Sequence, residues 1–287
     1  MSEYRFVNVG NTRIRYLRRG EGTPLVLIHG SGGGDLRDWQ FSLFDALAKT
    51  NDVIAFDRPG IGESDEIDNM TDPFAQARSL KAAAHALGAA RPIVVGHSFG
   101  GLVALCWGLL GPEDVAGIGA ISPVAMPFDE KLPAILNILP KPVIGALIAR
   151  MACSVLRKKV VEDSALQAFG AMGWPEHYME TTGDILFRNP KEQQNIAREI
   201  VGALPRLAEI AAQYKTLTAP VEIVFGTKDE NAITKYHARP LAEALPNAKL
   251  TLLEGVAHMP HYQAPEAVLN AIARLNANNG ASHEKTV

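Results

Sequence analysis

The chain has 287 residues and is 47% hydrophobic, enough to bury one large core or a core with a lid, so one domain carrying an insertion is expected. Its 28 Lys and Arg against 31 Asp and Glu give a formal charge of −3, which leaves no basic excess and argues against nucleic acid and membrane partners. Two cysteines, Cys106 and Cys153, make no disulfide framework and indicate a reducing, cytoplasmic compartment.

Acidic Glu3 and polar Asn8 stand where a secretory leader needs an apolar run, so no signal peptide is read. Residues 4–9 (YRFVNV) and 12–19 (TRIRYLRR) read as strands around a Gly10-Asn11 turn, and 24–30 (PLVLIHG) as a buried strand. A helical stretch at 36–49 leads to a short strand at 52–57, which ends in the turn DRPGIGES. Asp72 and Pro73 suit a helix cap and first-turn proline, and Phe74, Ala77, Leu80, Ala84 and Leu87 follow at helical spacing up to Gly88. Next come a strand at 92–97, a helix over about 100–110 and a strand at 115–122. Two more strands follow much later, at 221–226 and 248–254.

Strands alternating with helices predict an α/β fold: a mostly parallel central sheet covered on both faces, with function at the C-terminal ends of its strands. Residues 123–200 break this rhythm with proline-rich helical segments and read as an inserted helical cap between core segments 1–122 and 201–287. The most apolar window, 132–156, is interrupted by Pro140, Lys141, Pro142 and Arg150, so it suits two short amphipathic helices and no membrane span. The polar, aperiodic end of the chain, from about residue 277, is expected to be a disordered tail.

The chemistry is written in Gly96-His97-Ser98-Phe99-Gly100, a G-x-S-x-G pentapeptide between a strand and a helix. A sharp turn there pushes the serine hydroxyl out of the sheet while the glycines let the two backbones approach. A serine hydroxyl is a weak nucleophile at neutral pH. It needs a base to take its proton and an acid to fix the base's tautomer. Downstream, Asp229 stands three residues beyond a strand end and His258 lies in the loop after the last strand, giving the chain order serine, aspartate, histidine. His261, His97 and His29 are rival bases. Of these, His261 is expected in a following helix, lining the pocket or facing solvent, His97 pointing away from its neighbour, and His29 structuring its loop. Glu230 and Asp129 are rival acids.

HGSGGG at 29–34, DRPGIGES at 57–64 and GHSFGG at 96–101 together resemble the α/β-hydrolases, over about three quarters of the chain. The resemblance implies that Asp229 and His258 complete a catalytic triad with Ser98 and that the cap closes over the pocket. It also implies that the backbone N–H groups of Phe99 and Ser31, with Gly32 as fallback for the second, form an oxyanion hole. The triple glycine 32–34 gives that loop freedom to bend towards substrate.

Trp39, Met126, Trp174 and Met259 join Gly32 as expected pocket residues, under a roof drawn from an apolar cap that also contains Phe128, Phe169, Tyr178 and Phe187. HMPH at 258–261 offers two histidines but no third ligand at metal spacing, and neither GSGGG nor RPGIG completes a nucleotide-binding loop. No metal or cofactor is therefore expected. The expected function is hydrolysis of a small, largely apolar carboxylic ester or related acyl compound through an acyl-serine, by a monomer or homodimer. Three other readings remain. Carbon-carbon bond hydrolases of ring-cleavage products share HGSGGG and a cap arginine, here Arg188 or Arg150, but have asparagine where His97 stands. Cofactor-free perhydrolases share HSFGG. A ligand-binding module could keep the same fold without turnover.

Overall fold

The computed structural model describes residues 4–32, 34–129 and 131–284, so Gly33 of the triple glycine and the last three residues of the tail lie outside the described residues. Eight strands form one sheet: β1 Arg5–Val9, β2 Thr12–Arg19, β3 Thr23–Ile28, β4 Asn51–Phe56, β5 Ile93–His97, β6 Gly117–Ile121, β7 Val221–Gly226 and β8 Ala248–Leu253. Their order is β1-β2-β4-β3-β5-β6-β7-β8. β1 and β2 pair antiparallel, β2 joins β4 antiparallel, and every pair from β4 to β8 is parallel. The predicted α/β fold is thus the observed one.

Period-two alternation sorts the strand residues onto two cores. Val26, Ile28 and Val94 enter one cluster, which includes much of α3 (Pro73–Ala86) and α4 (Phe99–Leu110). Leu25, Leu27, Ile93 and Val95 enter the other, with α1 (Arg37–Gln40), α2 (Phe44–Leu47) and, later in the chain, α13 (Pro265–Glu284). Both faces of β3 and β5 are therefore buried, as continuous apolar runs in a parallel sheet require.

The helix expected at 36–49 is two single turns instead. The Ser42 hydroxyl donates to the Asp38 and Trp39 carbonyls, and the chain restarts at Phe44. By contrast, α3 begins as predicted, with the Asp72 carboxylate accepting from the Phe74 N–H at 2.9 Å and Pro73 in the first turn.

Between β6 and β7 the described residues contain no strand. They form α5 (Ala134–Ile138), α6 (Ile144–Ala152), α7 (Arg157–Phe169), α8 (Thr182–Ile185), α9 (Pro190–Ala203) and α10 (Leu207–Ala211). Asn189 caps α9 through the N–H groups of Lys191 and Glu192. The chain then adds α11 (Thr234–Ala244), α12 (Pro260–Gln263) and α13. The expected disordered tail is corrected over 277–284, where α13 continues. Asn276, just before that stretch, exchanges hydrogen bonds with Asn51, and the exposed Arg91 donates to Asn279 at 2.9 Å, partners that composition does not reveal. No described helix is long and apolar enough to cross a membrane.

The chain runs from β3 outward to β4 on one side and from β5 outward to β8 on the other, so the loops leaving β3 and β5 diverge. That divergence makes a crevice at the strands' C-terminal ends, where ligands bind in open α/β sheets.

Candidate active site

Ser98 stands at that crevice with φ +53° and ψ −120°, a strained backbone that costs an L residue about 1–3 kcal/mol. Its neighbours make the turn possible. A Cβ on Gly96 would lie 2.0 Å from the Gly100 carbonyl oxygen, and one on Gly100 would lie 2.4 Å from the carbonyl oxygens of Ile28 and His29. Strand, turn and helix close this tightly only around glycine. Phe99 opens α4, so its N–H has no acceptor within the helix and remains available to an anion.

Asp229 and His258 come together from the loops after β7 and β8. His258 Nδ1 donates to Asp229 Oδ2 at 2.8 Å, and Asp229 Oδ1 accepts from the N–H groups of Asn231 and Ala232 at 3.0 and 2.9 Å. Burial works against the charge of Asp229, but the imidazole and these donors outweigh it and hold the carboxyl below its ordinary range. The histidine loop is pinned by the β6–β7 insertion: the His258 N–H donates to the Ala168 carbonyl at 2.9 Å, and Gln263 joins the Ala257 N–H to the Phe169 carbonyl. The rival acids lie elsewhere. Asp129 is exposed, and Glu230 is an exposed residue on the cavity wall.

The cavity holding Ser98 and His258 has a volume of about 820 Å³ and is lined mostly by residues of the segment between β6 and β7, most of them aliphatic. Ser31, Gly32, Phe99 and Met259 line it as expected, as do Phe128, Tyr178 and Phe187. Three expected pocket residues do not. Trp39 is fully buried behind the site, its ring 4.9 Å from that of His261. Met126 packs against the core while its N–H donates to His237 Nδ1 at 3.1 Å. Trp174 packs into the cluster of Ala165, Phe169 and Tyr178. Position tied Trp39 to an active-site loop and put Met126 and Trp174 in the expected cap, but local packing claims each side chain.

The rival histidines acquire distinct tasks. His29 Nδ1 donates to the Gly30 carbonyl and its Nε2 accepts from the Arg58 N–H at 3.0 Å, so it does structure its loop; burial and the Arg58 charge push its pKa down to about 4. His261 neither lines the cavity nor faces solvent: it is buried on α12, with Nε2 3.2 Å from Asp38 Oδ2. His97 is not idle. Its Nε2 donates to the His258 carbonyl at 2.8 Å, and its ring lies 4.8 Å from that of His258 and 4.5 Å from that of His261. Asp38, His97 and His261 are spaced as metal ligands could be, within 4.8 Å of one another. HMPH itself does not converge, since His258 turns to Asp229 and His261 to Asp38.

Sequence reasoning missed two supports. One is the Asp38–His97–His261 cluster behind the serine. The other is a buried ion pair between Arg58 and Glu199 of α9, at 2.5 Å with both side chains fully buried. Arg58 also donates to the carbonyls of His29 and Gly30 at 2.9 and 3.0 Å, and the Ser31 hydroxyl donates to Glu199 at 2.5 Å. The loop expected to hold the oxyanion is thereby anchored from the insertion. The only available signal was that Arg58 lies inside DRPGIGES; its partner is 141 residues away.

Comparison with known proteins agrees with this architecture. The model of a family described as "Alpha/beta hydrolase family" matches residues 25–271. A 2-hydroxy-6-oxononadienedioate/2-hydroxy-6-oxononatrienedioate hydrolase of Escherichia coli O81 (strain ED1a) is 30% identical over 290 residues, covering 94% of this chain and 96% of that one. The dihydrolipoyllysine-residue acetyltransferase component of the acetoin cleaving system of Cupriavidus necator is 39% identical over 122 residues, 42% of this chain. That match spans only 32% of the acetyltransferase component's length. Among solved structures, the 2-hydroxy-6-oxo-6-phenylhexa-2,4-dienoate hydrolase from Rhodococcus sp. strain RHA1 superposes with a TM-score of 0.80 at 17% identity, over 96% of this chain and 99% of that one.

Proposed function

The chain belongs to the alpha/beta hydrolase family, and from that premise we propose that it hydrolyses a carboxylic ester or related acyl compound through an acyl intermediate on Ser98. The observation that carries the reading is the 2.8 Å Asp229–His258 pair, whose histidine lines the same cavity as Ser98. Ionised Asp229 accepts the hydrogen bond from His258 Nδ1–H, which leaves the Nε2 lone pair of His258 as the base.

The steps follow from those roles. Ser98 Oγ bonds to the acyl carbon as its proton passes to His258, and the carbonyl oxygen becomes an oxyanion facing the N–H groups of Phe99 and Ser31. Collapse breaks the bond to the leaving oxygen, which takes the proton from His258. Water then repeats the sequence, with His258 as base, and releases the acid and free Ser98. In this reading residues 123–200 are a cap that excludes bulk water, while 1–122 and 201–287 form the core. The two free cysteines suit a cytoplasmic setting.

Similarity to the Escherichia coli dienedioate hydrolase favours a second reading, carbon-carbon bond cleavage. A dioate would call for cations in the pocket. Arg188 is exposed and pairs with Asp184, Arg150 is exposed on α6, and Lys131 is the one Lys or Arg among the described residues lining the cavity. That favours the neutral acyl substrate.

The test is intact-mass analysis after exposure to a fluorophosphonate, with a p-nitrophenyl ester series and a ring-cleavage dienoate assayed in parallel. One adduct, absent in Ser98→Ala, with ester turnover supports the reading. Turnover of the dienoate alone replaces it with carbon-carbon hydrolysis. A folded protein with neither adduct nor turnover overturns the reading in favour of the binding-module alternative.

A further inference from the structure

An amphipathic surface helix turns its polar side to water, but α6 does not. Ile148, Ala149 and Ala152 line the cavity, while Ile144, Leu147 and Met151, the last of which also reaches the cavity, follow at helical spacing and are 52, 60 and 48% exposed. Val143 before the helix is 83% exposed and Val155 after it 87%. Single exposed apolar side chains are ordinary, whereas a contiguous patch of this kind marks an interaction surface.

Two further observations identify the occupant. Ile135, Met151 and Leu156 line the cavity and are 40, 48 and 43% exposed, so the patch is continuous with the cavity wall. The charge here is one-sided: residues 131–161 contain Lys131, Lys141, Arg150, Arg157, Lys158 and Lys159 and no Asp or Glu, in a chain whose net charge is −3. Arg157 meets Asp184, and Lys158 and Lys159 meet Glu162 and Asp163, but exposed Lys141 and Arg150 form no ion pair among the described residues. Lys141 precedes the patch, and Arg150 stands within its stripe.

We infer that the outer face from Val143 to Leu156 docks on an anionic lipid surface, with the apolar side chains entering the headgroup boundary, Lys141 and Arg150 meeting the phosphates, and the adjoining cavity wall facing the lipid. The whole-chain charge, which argued against a membrane partner, averages away this local basic segment. Apolar residues flanked by cations are the composition of interfacial helices. The docking does not depend on the serine chemistry and is tested without it.

The experiment is flotation of the full chain with vesicles of phosphatidylcholine alone and of phosphatidylcholine mixed with phosphatidylglycerol. Light scattering and thermal melting are measured on the same samples. The protein is expected to float with the anionic vesicles, and less so as added salt shortens the Debye length. Lys141→Glu with Arg150→Glu should weaken that binding at least about fivefold per cation removed, and Leu147→Asp with Val155→Asp should abolish it. No flotation with anionic vesicles overturns the inference, as does undiminished flotation of either double variant at unchanged melting temperature. If the wild type does not float and is a dimer that Leu147→Asp with Val155→Asp separates, the face belongs to a second copy of the chain. Should the Asp variants melt early, the exposed Lys141 and Arg150 pair decides the question alone.

Discussion

His97, the residue immediately before Ser98, donates its Nε2 proton to the backbone carbonyl of His258 at 2.8 Å. Strand β5 thus holds the serine with one residue and, with the preceding one, the loop that carries the proposed base. Burial, then the neighbouring His261 and His258, keep the His97 pKa well below 6.5, so the ring is neutral and the donor is fixed at Nε2.

His97 is therefore a positioning residue. His97→Ala should lower kcat by up to about 100-fold, the cost of small misplacements in a reacting pair, with KM for a short ester nearly unchanged. His97→Gln, whose amide N–H reaches toward the same carbonyl, should recover most of that loss. Equal loss in both variants, or a change confined to KM, would assign His97 to packing or to substrate contact.

Asp229 fixes the tautomer of His258 in the proposed mechanism. Asp229→Asn should reduce kcat by about 10⁴-fold while the protein stays folded, because the amide leaves Nδ1 without its acceptor. Asp129→Asn, at an exposed position, should behave as wild type. Steady-state kinetics on one ester suffices, and the reverse pattern would move the acid to Asp129.

The Arg58–Glu199 pair is buried, so removing one member strands a charge. Glu199→Ala should cost about 3–5 kcal/mol in urea unfolding. Replacing both, Arg58→Met with Glu199→Leu, should recover much of that stability. Turnover should stay low in the double variant, since the His29 and Gly30 carbonyls and the Ser31 hydroxyl have lost their partners. Recovery of turnover together with stability would show that the pair supports the fold alone.

Glu192 on α9 reaches the turn after β4, where its Oε2 accepts from the Gly62 N–H at 3.3 Å. Burial, then the charge of Asp35, raises its pKa from 4.5 to about 8. The folded state therefore holds a proton that the unfolded state releases between these values, and the group's contribution is lost as pH rises from 4.5 through 8. Glu192→Gln should melt above wild type at pH 8 by at least about 2–4 °C, the shift per kcal/mol for a chain of this size, and converge with it near pH 4.5. Parallel melting curves against pH would remove Glu192 from the account.

The order and type of the sheet elements were legible because period-two runs such as 24–30 and 92–97 and caps such as Asp72-Pro73 are local properties. Gly96 and Gly100 likewise announce the turn at Ser98, since close backbone approach constrains the residue type itself. Spacing after a strand end named Asp229 and His258, which the structure brings within 2.8 Å of each other. What sequence could not supply was any relationship between distant residues. Arg58 and Glu199, Asp38 and His261, and Asn51 and Asn276 become partners only when the sheet closes. The same holds for side-chain direction: Trp39, Met126 and Trp174, expected in the pocket, turn into local packing, and α6 keeps an apolar face towards water. Local pattern fixes what an element is, because it depends on neighbours in the chain. Which face is covered, and by whom, depends on long-range contacts that exist only in the folded molecule.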